Sequence, residues 1–173
     1  EMAKKADKVY MELYTGKWVG DREKLEKLIG KKIFEMTRSD LEENSEEILN
    51  ECKKQNVAIL VQGDPLVFTT HNSLIAEAQR LVIETKVVHN SSVFSAISET
   101  GLHMYKFGPS VTIPFPEKTK GSLPNSIYET IKQNKSRGLH TLCLLDIVDG
   151  RCMSVSEAVE ILDKFDSGNI IDK

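Results

Sequence analysis

Val57-Ala58-Ile59-Leu60-Val61 is an unbroken apolar run rich in β-branched residues, and it is closed by Gln62-Gly63-Asp64-Pro65. A run of this length predicts a strand buried on both faces, as in a parallel sheet covered by helices. Gly63-Asp64-Pro65 then falls at the carboxyl end of that strand, where open α/β sheets hold their ligands. The tripeptide is also ordinary turn chemistry. Two readings therefore stand together: a plain turn, or one whose Asp64 accepts from a ribose hydroxyl or an ammonium group.

Working upstream, residues 1–6 read as a helix running into a strand over 8–14, where β-branched and aromatic residues collect. Asp21 caps a helix over 22–29 that Gly30 stops, and a short strand follows over 33–37. Ser39 and Glu42 form an S-x-x-E capping box for an amphipathic helix carrying Leu41, Ile48 and Leu49 through about residue 54. Downstream, a helix over 72–82 and a strand over 86–89 complete a β-α-β unit. Asn90-Ser91-Ser92-Val93 opens another helix, stopped by Gly101. Its free N–H groups suit a polar ligand, and capping by Ser91 or Ser92 explains the sequence equally well.

The character changes after Gly108-Pro109. A strand is expected over 110–115, a turn-rich stretch over 116–124, a helix over 124–135, a strand over 141–145, and a helix over 154–165 with Ser154 and Glu157 as its capping box. The fold class read from this order is α/β, with helices alternating with parallel strands.

Composition limits the chemistry. The 173 residues are 40% hydrophobic and 28% charged, the balance of a soluble globular protein. The formal net charge of -3 provides no global positive field, so nucleic acid is not an expected partner. Cys52, Cys143 and Cys152 form no CxxC, which points away from a disulfide framework or zinc site and toward a reducing cytoplasm. No apolar run approaches membrane-spanning length, so no membrane association is expected. His71, His89, His103 and His140 lack metal-ligand spacing and read as structural or surface residues; no metal is expected. A Walker loop, a G-x-S-x-G elbow and a G-x-G-x-x-G fingerprint are all absent from the sequence.

Five stretches in order carry a family resemblance: Ala6-Asp7-Lys8-Val9-Tyr10-Met11-Glu12-Leu13-Tyr14-Thr15, then Val61-Gln62-Gly63-Asp64-Pro65-Leu66-Val67-Phe68-Thr69-Thr70-His71, His89-Asn90-Ser91-Ser92-Val93, Gly101-Leu102-His103-Met104-Tyr105-Lys106-Phe107-Gly108, and Gly138-Leu139-His140-Thr141-Leu142-Cys143-Leu144-Leu145-Asp146-Ile147. Together they resemble the diphthine synthases, a branch of the tetrapyrrole-methylase-like methyltransferases. The resemblance implies two α/β domains, over 1–108 and 109–173, with S-adenosyl-L-methionine in the cleft between them. It implies that Asp64 and Val67 lie against the methionine and ribose part of that cofactor, that Ser92 and Val93 form its next contact, and that Leu145 adds an apolar one. No catalytic base is implied.

The implied reaction is methylation of the 3-amino-3-carboxypropyl side chain on a histidine of translation elongation factor 2, by a cytoplasmic homodimer. Apolar and small residues near 93–97 and 111–115 are the expected dimer surface, and Lys118 and Lys120 on the 116–124 stretch are expected to steer the protein substrate. The family opens with a strand and a Gly-x-Gly turn that this sequence lacks, and it separates by a longer stretch the segments that residues 146–154 join here. Both domains are thus expected to be incomplete. A tetrapyrrole (precorrin-type) methyltransferase, and a non-catalytic truncated domain kept for dimerisation or protein binding, are the alternatives.

Overall fold

The computed structural model describes residues 1–165, which divide into two compact units between Ala96 and Ile97. The first contains α1 (Met2–Lys5), β1 (Lys8–Glu12), α2 (Arg22–Ile29), β2 (Ile33–Met36), α3 (Arg38–Glu42), α4 (Ser45–Cys52), β3 (Val57–Leu60), α5 (His71–Arg80) and α6 (Val93–Ala96). Its strands form a parallel sheet in the order β2-β1-β3, with Val9 opposite Ile33 and Ala58.

Strand periodicity sorts the side chains to two faces. Val9, Met11 and Ile33, with Ala58 and Leu60, pack beneath Ala6 and Ile29, whereas Tyr10, Met36, Val57 and Ile59 pack with Leu41, Ile48, Leu49 and Ala78. Both faces of β3 are therefore covered, although its side chains remain half-buried because it stands at the edge of this sheet.

Helix limits follow local chemistry. The Asp21 side chain accepts from Lys24 N–H at the start of α2, and Gly30 ends that helix at φ 78°. The capping box joins Thr37 and Asp40 rather than Ser39 and Glu42, and the helix breaks at Glu43-Asn44 to give α3 and α4. Helix α5 ends with Ile83 N–H bonded to the Ala78 carbonyl and Val82 N–H to that of Gln79, a Schellman arrangement that places Val82 at φ 57°. Residues 86–89 form no strand: they pair with nothing in the sheet, and Lys86, Val88 and His89 are exposed. The β-α-β unit expected there is absent from the described residues.

The second unit holds β4 (Val111–Ile113), α7 (Asn125–Ser136), β5 (Cys143–Leu145), the hairpin β6 (Ile147–Val148) and β7 (Arg151–Cys152), and α8 (Val155–Phe165). Strands β4 and β5 are parallel, with Ile113 opposite Leu145. Val111, Ile113 and Phe115 form the core with Ile127, Met153 and Ala158. The 111–115 segment is thus interior, and not the spare apolar surface expected of it.

The hairpin turns on Asp149 (φ 48°) and Gly150 (φ 77°), the pair of left-handed residues a type I′ turn requires. Gly108 meets Asn134 so closely that a Cβ there would lie 2.0 Å from its Oδ1, while Asn134 Nδ2 donates to Pro109 O and Thr141 Oγ1. Together with the Phe107–His140 bridge, this draws residues 107–108 into the second unit, so the compositional boundary at 108/109 lies inside it. Among the described residues no helix is long and apolar enough to cross a membrane.

Candidate functional site

The chain leaves β3 and turns at Gly63, whose φ of 80° suits glycine and would strain a residue with a Cβ. Asp64 follows and is 6% exposed, shielded by the turn it organises. Its Oδ1 accepts from Leu66 N–H at 2.9 Å, and its Oδ2 accepts from His89 Nδ1 at 2.9 Å and Asn90 N–H at 3.2 Å. The Leu66 N–H, with His89 and Asn90, holds the carboxyl below the usual carboxylate range despite the opposing effect of burial. A carboxylate offers about four lone-pair directions, so roughly one is left for a ligand hydroxyl or ammonium group.

These bonds join the loop after β3 to the segment leading into α6. The segment continues through Ser92, whose N–H donates to Ser95 Oγ at 2.9 Å and whose Oγ accepts from Ser95 N–H at 3.3 Å. Ser92 is thus engaged as a cap, and Val93 begins α6 about half-exposed. Val67 is half-buried on the other loop, and Phe68 beside it meets Phe94 edge-on at 5.8 Å between ring centres. The structure therefore brings the loops of Asp64 and Val67 and of Ser92 and Val93 together within one unit. Leu145 belongs to the second unit, where it ends β5 and packs partly buried against the core.

The same fold reveals partners that residue spacing had not indicated. His89 is bound to Asp64 despite an exposed ring, and no pattern in sequence links two residues across that distance. Glu12 is 1% exposed at the end of β1 and accepts from the N–H groups of Tyr14 and Thr15 and from the Thr15 hydroxyl. His71 is buried at the start of α5, with Nδ1 2.8 Å from Pro65 O and Nε2 3.3 Å from the Tyr14 hydroxyl. Burial pushes the Tyr14 phenol above its ordinary range.

The residues around Asp64 fit an S-adenosyl group in chemical terms: a fixed carboxylate with spare acceptor capacity, a left-handed glycine turn, and apolar Val67 and Val93 on the two joined loops. A groove of about 570 Å³ elsewhere on the first unit contains none of these residues. Its polar centre is already satisfied, because Glu51 accepts from Lys8 Nζ at 2.7 Å, Tyr10 OH at 2.6 Å and Gln55 Nε2 at 2.9 Å.

In the second unit, Asp146 follows Leu145 and accepts from Phe115 N–H, Ile147 N–H and Lys118 Nζ, the last at 2.8 Å. Lys118 is consequently tied down, which reduces the free positive charge expected on the 116–124 stretch.

A family model described as Tetrapyrrole (Corrin/Porphyrin) Methylases matches residues 1–170. A diphthine synthase of Methanocaldococcus jannaschii is 42% identical over 94% of this chain and 64% of its own length. One of Methanococcus aeolicus is 41% identical over the whole of this chain and 69% of its own. A crystal structure of diphthine synthase superposes with a TM-score of 0.82 at 36% identity, covering 94% of this chain and 62% of that one. The chain thus spans about two thirds of the length of the relatives it matches. With a parallel α/β sheet, a strand-end turn at Gly63-Asp64-Pro65 and a match along nearly its full length, the chain belongs to the tetrapyrrole (corrin/porphyrin) methylase family.

Proposed function

We propose that this protein acts as an S-adenosyl-L-methionine-dependent methyltransferase of diphthamide biosynthesis, with elongation factor 2 as its protein substrate. The observation that carries the proposal is the fixed Asp64 carboxylate at the carboxyl end of β3, in a chain more than two-fifths identical to diphthine synthases. Asp64, Val67, Ser92 and Val93 hold the cofactor. When bound, the sulfonium supplies an electrophilic methyl group for in-line displacement by the amine of the 3-amino-3-carboxypropyl-histidine side chain. The protein's task is to align the amine with that methyl group and to exclude water. No side chain is assigned as the base that receives the amine proton. The working protein is a cytoplasmic homodimer.

Calorimetric titration with S-adenosylhomocysteine, paired with transfer of a labelled methyl group to elongation factor 2 carrying the precursor side chain, tests this reading. One site per chain and label on the factor are expected. Label on a precorrin and none on the factor would favour the tetrapyrrole alternative. Binding without transfer to either would favour a non-catalytic role.

A further inference from the structure

We propose that His71 is a positioning residue for the Asp64 turn, acting through the Pro65 carbonyl and not by touching the cofactor. The inference rests on the reading of that turn as the cofactor contact. His71 is 7% exposed, and both ring nitrogens are engaged, by Pro65 and Tyr14, neither of them an expected ligand contact. Pro65 O can only accept, so Nδ1 carries the proton that it receives at 2.8 Å. In the neutral ring Nε2 then accepts from the Tyr14 hydroxyl at 3.3 Å, with the two rings edge-on. The Pro65 carbonyl thereby fixes one tautomer, and Tyr14 reads the other end of it.

The connection is continuous on both sides. Tyr14 is held at the end of β1 because Glu12 accepts its N–H, and the neighbouring Thr15 N–H as well. Pro65 follows Asp64, and its carbonyl also accepts from Thr69 Oγ1 at 2.5 Å. The middle strand of the sheet is thus linked through Tyr14 and His71 to the turn that presents Asp64 and Val67. Two donors on one carbonyl fix the peptide plane after Pro65, and with it the Leu66 N–H that Asp64 accepts. A ligand that must find a single remaining acceptor direction on Asp64 depends on that plane being held.

Three substitutions separate positioning from general packing. The amide nitrogen of asparagine lies where Nδ1 does, that of glutamine lies where Nε2 does, and leucine has neither. His71→Asn should keep S-adenosylhomocysteine affinity within about threefold of the parent, while His71→Gln and His71→Leu should each lose about tenfold, the effect of one buried hydrogen bond. Amide NMR of the ligand-free protein supplies an independent readout. The Leu66 and Asn90 N–H resonances should move in His71→Leu and return toward their parental positions in His71→Asn.

Equal affinity across the parent and all three variants would overturn the proposal, and so would Leu66 and Asn90 resonances that ignore His71→Leu. If all three variants lose affinity alike, His71 is a packing residue and the proposal fails. If the parent binds no S-adenosylhomocysteine while the NMR pattern holds, His71 still positions the turn, and it is the cofactor assignment that fails.

Discussion

Asp64 already receives three donors from two loops, so its replacement does two things at once. It removes the acceptor proposed for the ligand, and it frees Leu66 N–H and Asn90 N–H from the bonds that join those loops. Asp64→Ala should therefore weaken S-adenosylhomocysteine binding by about tenfold or more, as loss of a charge-assisted hydrogen bond does. Titration at fixed ionic strength measures it, and a variant that binds like the parent would leave Asp64 as a turn residue only. The position of Asp64 was legible in sequence because an apolar strand followed by Gly-Asp-Pro fixes where the carboxylate lies. Its tie to His89 was not, since that pairing depends on how residues 83–92 cross the end of the sheet. Periodicity alone offers only a strand candidate there.

Helix ends offer the sharpest tests at the next scale. Val82 occupies the left-handed position after α5 that glycine usually fills, and the residue is 92% exposed. A β-branched residue pays a steric cost at φ 57° with no packing in return, so Val82→Gly should stabilise the protein by about 1 kcal/mol, visible as a raised urea midpoint.

At α8, Glu157 accepts from Ser154 N–H and Arg151, while Ser154 Oγ accepts from Glu157 N–H. The Ser154 N–H, with Arg151, lowers the Glu157 carboxyl from 4.5 to about 2. A carboxyl depressed on folding stabilises above its unfolded value and loses that contribution as pH falls through the folded one. The parent should thus exceed Glu157→Gln in stability near neutral pH, with the gap closing between pH 4.5 and about 2 in melts across that range.

Caps of this kind were legible because an S-x-x-E pattern is local, and Ser154 with Glu157 forms the expected box. Ser39 and Glu42 matched the same pattern and do not. Thr37 donates its N–H and its hydroxyl to Asp40 Oδ2 at 2.6 and 2.7 Å, and Asp40 N–H donates back to Thr37 Oγ1 at 3.3 Å, leaving Ser39 to donate to Glu43 and Glu42 to accept from Arg38 and Thr70. Two overlapping boxes cannot both start one helix, and sequence does not say which wins.

Across the whole molecule, the parallel α/β character followed from the alternation of helices and apolar runs, whereas the division at Ala96–Ile97 depended on contacts such as Gly108 with Asn134 that no composition change reports. Burial of Val111, Ile113 and Phe115 also removes one of the two surfaces expected to support a dimer, leaving the stretch around Val93, which is 52% exposed. We expect dimerisation to bury more than roughly 1,200 Å² in total, so sedimentation at micromolar concentration should show a two-chain species. A monomer there would remove the dimer from the proposal.

The cysteines supply a means of watching this directly. Cys152 is exposed on β7, while Cys52 and Cys143 are half-buried with thiols pushed upward by burial, which leaves little thiolate to react. Brief treatment with a maleimide dye near neutral pH should therefore add one fluorophore per chain, at Cys152, and a Cys152→Ser variant should remain dark. Mixing donor-labelled and acceptor-labelled batches would then report subunit exchange as energy transfer, with no cysteine having to be engineered.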